Sequence, residues 1–170
     1  MNLKDYVKNV PDFPQKGIQF KDITPLIGNG KAFQHATKLF CAYAQKVGAD
    51  VIVGPDARGF IFGTPVATQL GLGFVPVRKP GKLPRETLTE TYSLEYGENA
   101  LSLHKGDILP NQKVLIVDDL LATGGTIAAT INLIEKSGAE VVGIAFLIEL
   151  EALKGREKFK DYPIYSVLTY

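Results

Sequence analysis

Short apolar runs alternate along the chain with longer stretches in which apolar residues recur every three or four positions. This alternation predicts strand, helix, strand and helix in turn. Val51-Ile-Val-Gly54 is a β-branched run that stops at Pro55-Asp56-Ala57-Arg58-Gly59. Phe74-Val-Pro-Val-Arg78 is a second run; Pro76 has no N–H for a ladder and predicts an edge or irregular position. Val114-Leu-Ile-Val117 is apolar throughout, as in a parallel strand covered on both faces. Glu140–Ile148 and Ile164–Leu168 supply two more.

Between them, Lys31–Val47 carries Phe33, Ala36, Leu39 or Phe40, and Tyr43 at helical spacing. Gly59–Leu70 reads as a less regular helix because of Gly63 and Pro65. Thr126–Ser137 places Ile127, Ile131 and Ile134 on one face and stops before Gly138, a natural C′ residue. The sum is an α/β domain with a mainly parallel sheet. Thr87–His104 breaks the rhythm: it is polar, with Leu101 and Leu103 alternating against Ser102 and His104, and predicts a two-stranded excursion or mobile flap. No repeat or linker divides the chain, so residues 1–170 are read as one domain.

Composition narrows the classes without choosing one. The 170 residues are 45% apolar and 22% charged, enough for a sizeable core. A net charge of +1 gives no footprint for nucleic acid or an anionic membrane, and neither is expected as a partner. Cys41 is the only cysteine, which excludes an intramolecular disulfide and a multi-thiolate metal site. The opening residues MNLKDYVKNVPDFP lack the apolar region of a signal peptide, and no run is long enough to span a bilayer. A cytoplasmic location is expected. His35 and His104 read as helix-face and strand-face residues, and Cys41 as a small buried hydrophobe.

The chemistry concentrates in Val114-Leu-Ile-Val-Asp-Asp-Leu-Leu-Ala-Thr-Gly-Gly-Thr126. An apolar strand delivers Asp118 and Asp119, and a loop of small residues then opens a helix. Gly124 and Gly125 let backbone N–H groups turn inward, Thr123 and Thr126 add hydroxyls, and the helix N-terminus adds partial positive charge. No Lys follows the glycines, so this is not a Walker A loop; nor is it GxGxxG. Two carboxylates would repel a bare phosphate. They fit the hydroxyls of a sugar whose 5′-phosphate lies in the loop.

Residues 114–126 resemble the phosphoribosyl-pyrophosphate signature of the type I phosphoribosyltransferases. The resemblance implies a twisted, mostly parallel sheet flanked by helices, with a small N-terminal hood at about 1–30 and a flexible loop at about 82–104. It also implies Asp118 and Asp119 at the ribose hydroxyls, Ala122, Thr123, Gly124, Gly125 and Thr126 at the 5′-phosphate, and Mg²⁺ held mainly by the substrate, with no certain protein ligand. Further segments resemble the adenine-specific members: Pro11-Asp-Phe-Pro-Gln-Lys-Gly-Ile-Gln-Phe-Lys-Asp-Ile-Thr-Pro25, Pro55–Gly63, Val77–Pro84, Tyr92–Gly97 and Leu153-Lys-Gly-Arg-Glu157. Relatives often carry Ser where this chain has Ala57.

On that resemblance Asp56, Ala57 and Arg58 meet pyrophosphate. Arg78, Lys79 and Lys82, in a basic loop with no obvious local acidic partner, reach it too, at least one from a neighbouring subunit of a homodimer. Phe20, Lys21 and Leu150 belong to the adenine pocket. Glu95 is the candidate acid/base near purine N7 and Tyr96 a substrate-binding neighbour. The activity implied is adenine plus phosphoribosyl pyrophosphate giving AMP and pyrophosphate. A phosphoribosyltransferase for xanthine or another purine, or a phosphoribosyl-pyrophosphate-sensing regulator on the same fold, stays open at this point. The strand-end loops fit one crevice, because in an open α/β sheet ligands sit beyond the carboxyl ends of the strands.

Overall fold

The computed structural model describes residues 1–94 and 97–170. A 3₁₀ turn, Leu3–Tyr6, leads into an antiparallel pair, β1 (Lys8–Pro11) and β2 (Gln19–Asp22), and a short helix α1 (Thr24–Gly28). These elements precede the main sheet. Phe13 meets Phe20 edge-on at 5.2 Å, closing the loop between β1 and β2.

The remaining chain alternates as its pattern requires: α2 (Gly30–Val47), β3 (Val51–Pro55), α3 (Arg58–Leu70) and β4 (Gly73–Val77). A hairpin follows, β5 (Thr87–Leu94) and β6 (Gly97–His104), then β7 (Lys113–Leu121), α4 (Gly125–Lys136), β8 (Glu140–Glu149) and β9 (Ile164–Thr169). Among the described residues the main sheet has the order β4-β3-β7-β8-β9, parallel at every pairing. Pro76 lies on the edge strand β4, where its missing N–H costs no ladder bond.

Strand alternation assigns the helices to faces. Val51, Val53, Val114 and Ile116 point to one side, where Ile127, Ile131 and Ile134 of α4 and Leu101 and Leu103 of β6 cover them. Ile52, Leu115 and Val117 point to the other, against Phe40 of α2 and Phe62 and Val66 of α3. Phe40 and Phe62 are fully buried; burying a side chain of this size contributes roughly 1.5–3 kcal/mol. Asn29 caps α2 by accepting the Ala32 N–H at 3.0 Å, and Gly48, at φ 70°, ends it. Among the described residues no helix is long and apolar enough to cross a membrane.

The polar excursion is the two-stranded form, paired from Thr87↔His104 to Leu94↔Gly97. Its base joins the body through Arg78 and Ser102, whose N–H groups donate to each other's carbonyl oxygens at 2.9 and 2.7 Å. Higher up, Glu90 accepts from Asn132 at 3.3 Å and from Lys136, both on α4. The hairpin therefore covers a sheet face that a helix would otherwise take. One expectation is corrected: β7 does not stop at Val117. Its ladder continues to Leu120↔Ile148 and Leu121↔Glu149, so the two Asp residues sit within the strand, where one edge of the sheet face opens into a cleft.

Candidate active site

The order of the sheet fixes where a ligand can go. β3 continues outward through α3 to β4, whereas β7 continues through α4 to β8 on the opposite face, so their C-terminal ends diverge. Such a switch point leaves a crevice. A cleft of about 530 Å³ lies there, walled by residues 55–58 after β3 and 118–127 at the end of β7, with Tyr92 and Asn99 of the hairpin as a third wall.

Its floor is the start of α4. Gly124, at φ 90°, is the N-cap and offers no side-chain acceptor, so the N–H groups of the first turn have no cap. Asn29 at α2 shows the contrast. An uncapped helix start in a cleft, with Thr123 and Thr126 beside it, is built for an anion. Tyr92 leans over it, its ring 3.7 Å from where a Cβ on Gly125 would be.

Above the floor stands the acidic pair. Asp119, 7% exposed, receives Arg58 Nε at 2.8 Å, so its charge is paired before any ligand arrives. Among the described residues Asp118 has no such ion pair. Its Oδ1 accepts the Asp119 N–H at 2.8 Å, but burial, and then the neighbouring Asp119 charge, push its carboxyl well above the usual range. Gly59 makes the arrangement possible: a Cβ there would lie 2.8 Å from Pro55 Cδ and 3.1 Å from Asp118 Oδ1. The Asp56–Ala57 peptide at the rim is cis.

Of the expected site residues, the structure brings Asp56, Ala57, Arg58, Asp118, Asp119 and Ala122 through Thr126 into this one cleft. Arg78 stands at its edge with Nε 2.8 Å from Asp56 Oδ2. That pair and Arg85–Asp107, also at 2.8 Å, supply acidic partners from outside the local sequence. The partners were hidden because they come from segments distant in sequence. Lys79 and Lys82 are exposed and do not line the cleft. Nor do Phe20, Lys21 and Leu150: Phe20 packs on Phe13, Lys21 Nζ sits 4.4 Å from the centre of the Tyr170 ring, and Leu150 joins the core on the α2 side. The assignments of Glu95 and Tyr96 lie outside the described residues.

Sequence reasoning missed Tyr92 and Asn99 as cleft residues, although they are direct cross-strand partners. The alternation of the hairpin could have placed them on one face, but not which face met the cleft. Glu149, 5% exposed at the end of β8, holds Arg156 through Nε at 2.9 Å and Nη2 at 2.7 Å, a pairing the local sequence did not indicate. The Arg156 guanidinium, more than any other group, keeps the Glu149 carboxyl below its ordinary range. Among the described residues no group of three His, Cys, Asp or Glu side chains could hold a metal ion unaided.

Comparison with known proteins agrees with this geometry. Residues 29–169 match the family model described as a phosphoribosyl transferase domain. An adenine phosphoribosyltransferase of Lactobacillus gasseri is 58% identical over 170 residues, covering 100% of this chain and 97% of the relative. The crystal structure of an adenine phosphoribosyltransferase from Thermoanaerobacter pseudethanolicus superposes with a TM-score of 0.95 at 50% identity, over 99% of this chain and 98% of that one. That of the Saccharomyces cerevisiae enzyme, complexed with an imino-altritol bisphosphate and adenine, gives 0.93 at 40% identity, over 97% and 96%.

Proposed function

The chain belongs to the phosphoribosyltransferase family, and from that premise we infer that it transfers the phosphoribosyl group of phosphoribosyl pyrophosphate to adenine, giving AMP and pyrophosphate. The observation that carries this reading is the cleft itself: an uncapped helix start, an acidic pair and a strand-end Arg converge at the switch point of a parallel sheet. The 58% identity to an adenine phosphoribosyltransferase over the full chain supports adenine as the base.

The 5′-phosphate is assigned to the N–H groups and hydroxyls of Ala122–Thr126. Asp118 and Asp119 accept from the ribose hydroxyls and hold the sugar still. Asp56, Ala57 and Arg58 face the diphosphate, for which a guanidinium is well shaped. Phe20, Lys21 and Leu150, which lie outside the cleft lining, are assigned to the base on the family resemblance alone. Adenine N9 forms a bond to ribose C1 as the bond from C1 to the diphosphate oxygen breaks, the electron pair leaving with pyrophosphate. The purine gives up one proton in the exchange, and Glu95 is assigned to take it or to hydrogen-bond at N7. Rate enhancement then comes from positioning and electrostatics, without a protein nucleophile.

Members of this family generally use Mg²⁺ with their substrate. The donor set here suits an ion brought by the diphosphate: the pair Asp118 and Asp119 offers hard oxygens, too few for a dedicated cage. When bound, the ion neutralises charge on the departing diphosphate.

A homodimer and a cytoplasmic location complete the reading. Lys79 and Lys82 are exposed and do not line their own cleft, and are assigned to reach a neighbour's. Mixing inactive Lys82→Ala protein with inactive Asp119→Asn protein is therefore expected to restore part of the activity, since a heterodimer assembles one intact site. No recovery, with subunit exchange confirmed, would place both residues in one subunit's site. Residues 82–104 are proposed as a flap over the substrates, its motion confined to the part beyond the Arg78–Ser102 attachment.

The direct test is turnover. Incubation with phosphoribosyl pyrophosphate, Mg²⁺ and each purine in turn is expected to yield AMP and pyrophosphate from adenine, with far slower product from guanine, hypoxanthine or xanthine. Equal or faster use of another purine would overturn the specificity.

A further inference from the structure

The geometry points to Arg156 as a positioning residue for substrate binding: by gripping Glu149 it holds the 3₁₀ segment Gly155–Phe159 as a buttress beneath the loop Ala122–Gly124. The inference rests on the assignment of that loop to the 5′-phosphate.

Arg156 does not line the cleft, and its connection to the loop runs through the backbone beside it. β8 ends at Glu149, and the chain makes a 3₁₀ turn over Glu151–Leu153. Lys154 then adopts φ 52°, a left-handed conformation that reverses the chain. The reversal brings the Arg156 guanidinium back onto Glu149, both of whose carboxylate oxygens it engages, while Ser166 of β9 donates to Oε2. The buried carboxylate is thus held by three hydrogen bonds, two of them from a half-exposed guanidinium.

The segment fixed in this way presses on the loop at two points. Gly155 is buried so closely that a Cβ would lie 2.3 Å from the Ala122 carbonyl oxygen and 3.0 Å from Leu121 Cδ1. Phe159, 2% exposed, lies so close to Gly124 that a Cβ there would come within 2.8 Å of its ring. The Leu150 N–H adds a bond to the Leu121 carbonyl at 3.0 Å. A loop of small residues has little packing of its own, and this underside supplies it. An ion pair whose Arg is half exposed is a weak source of net stability, because solvent screens much of the attraction. Its effect here is geometric: the bidentate fork sets the height of Gly155 under Ala122, and so the aim of the N–H groups above.

Two variants test this by opposite routes. Arg156→Lys keeps the charge but replaces a planar fork with one ammonium that cannot hold both oxygens in the same geometry. Gly155→Ala leaves the ion pair intact and pushes directly on Ala122. In each, KM for phosphoribosyl pyrophosphate is expected to rise on the order of tenfold, equivalent to about one lost hydrogen bond to the phosphate. kcat should stay within about twofold, as for a loss of uniform binding. The rise in melting temperature produced by ribose 5-phosphate should shrink in both. Unchanged KM with undiminished ribose 5-phosphate protection in the two variants would overturn the proposal, as would lowered melting temperatures with KM intact. If wild-type protein is itself not protected by ribose 5-phosphate, the assignment of the loop fails instead.

Discussion

Asp118→Asn is expected to give a more heat-stable protein and a poorer enzyme. The activity loss follows from removing a charged acceptor from the ribose hydroxyls; one charged hydrogen bond is worth about 1.5–3 kcal/mol, which translates to roughly one to two decades in kcat/KM for phosphoribosyl pyrophosphate. The stability gain follows from linkage. Burial and the Asp119 charge raise the Asp118 carboxyl above its unfolded value, so the folded state binds that proton more tightly than the unfolded chain does. The corresponding stability is fully present below the unfolded value of about 3.9 and is lost as pH rises through the raised folded one. Asn never ionises and escapes the loss. Melting curves of the two proteins should therefore separate as pH rises above the unfolded value, the variant higher, and converge as pH falls toward it. Asp119→Asn should match the activity loss without the gain, because it also strands Arg58. Identical melting temperatures across the range would remove Asp118 as a stressed group, and full activity in both variants would make the pair a mere strand end.

The second large effect belongs to Glu95. It falls in sequence between Leu94 and Gly97, which pair across the hairpin, and Tyr92 and Asn99 on either side of them line the cleft. Segments with little buried surface open at small cost, and lids are drawn from them. Closure would exclude water from an oxocarbenium-like sugar, which water could otherwise capture. Glu95→Gln retains size and hydrogen bonding but cannot titrate. As an acid/base, its replacement should lower kcat by about 10²–10⁴, with substrate binding and melting temperature nearly unchanged. A variant with wild-type kcat and an unaltered pH profile would dismiss the catalytic role while leaving the flap open to limited proteolysis with and without AMP.

The legible parts of this molecule are those governed by short-range rules. Continuous apolar runs at Val51–Val53 and Val114–Val117 placed two strands, and Pro76 placed an edge. The run from Asp118 to Thr126 announced its chemistry because glycines, hydroxyls and carboxylates follow one another in a single stretch. What stayed hidden depends on partners far along the chain. Arg78 meets Asp56, Arg85 meets Asp107, and Glu149 takes Ser166 as well as Arg156. The extension of β7 past its acidic pair was illegible for the same reason: the pairing with β8 decides it, against the local polarity.

The division of the cleft between two strand ends has a consequence for how the protein folds. One wall follows β3 and the other closes β7, and the two meet only once Val51 has found Val114 across the intervening β4 and hairpin. That contact is among the chain's long closures, made late because loop entropy must be overcome first. A half-formed chain therefore lacks the two-walled cleft, and a ligand that needs both walls cannot be enclosed until the central pairing exists. Substrate then acts on the finished molecule: it slows escape from the native state and leaves the search for that state to the chain alone.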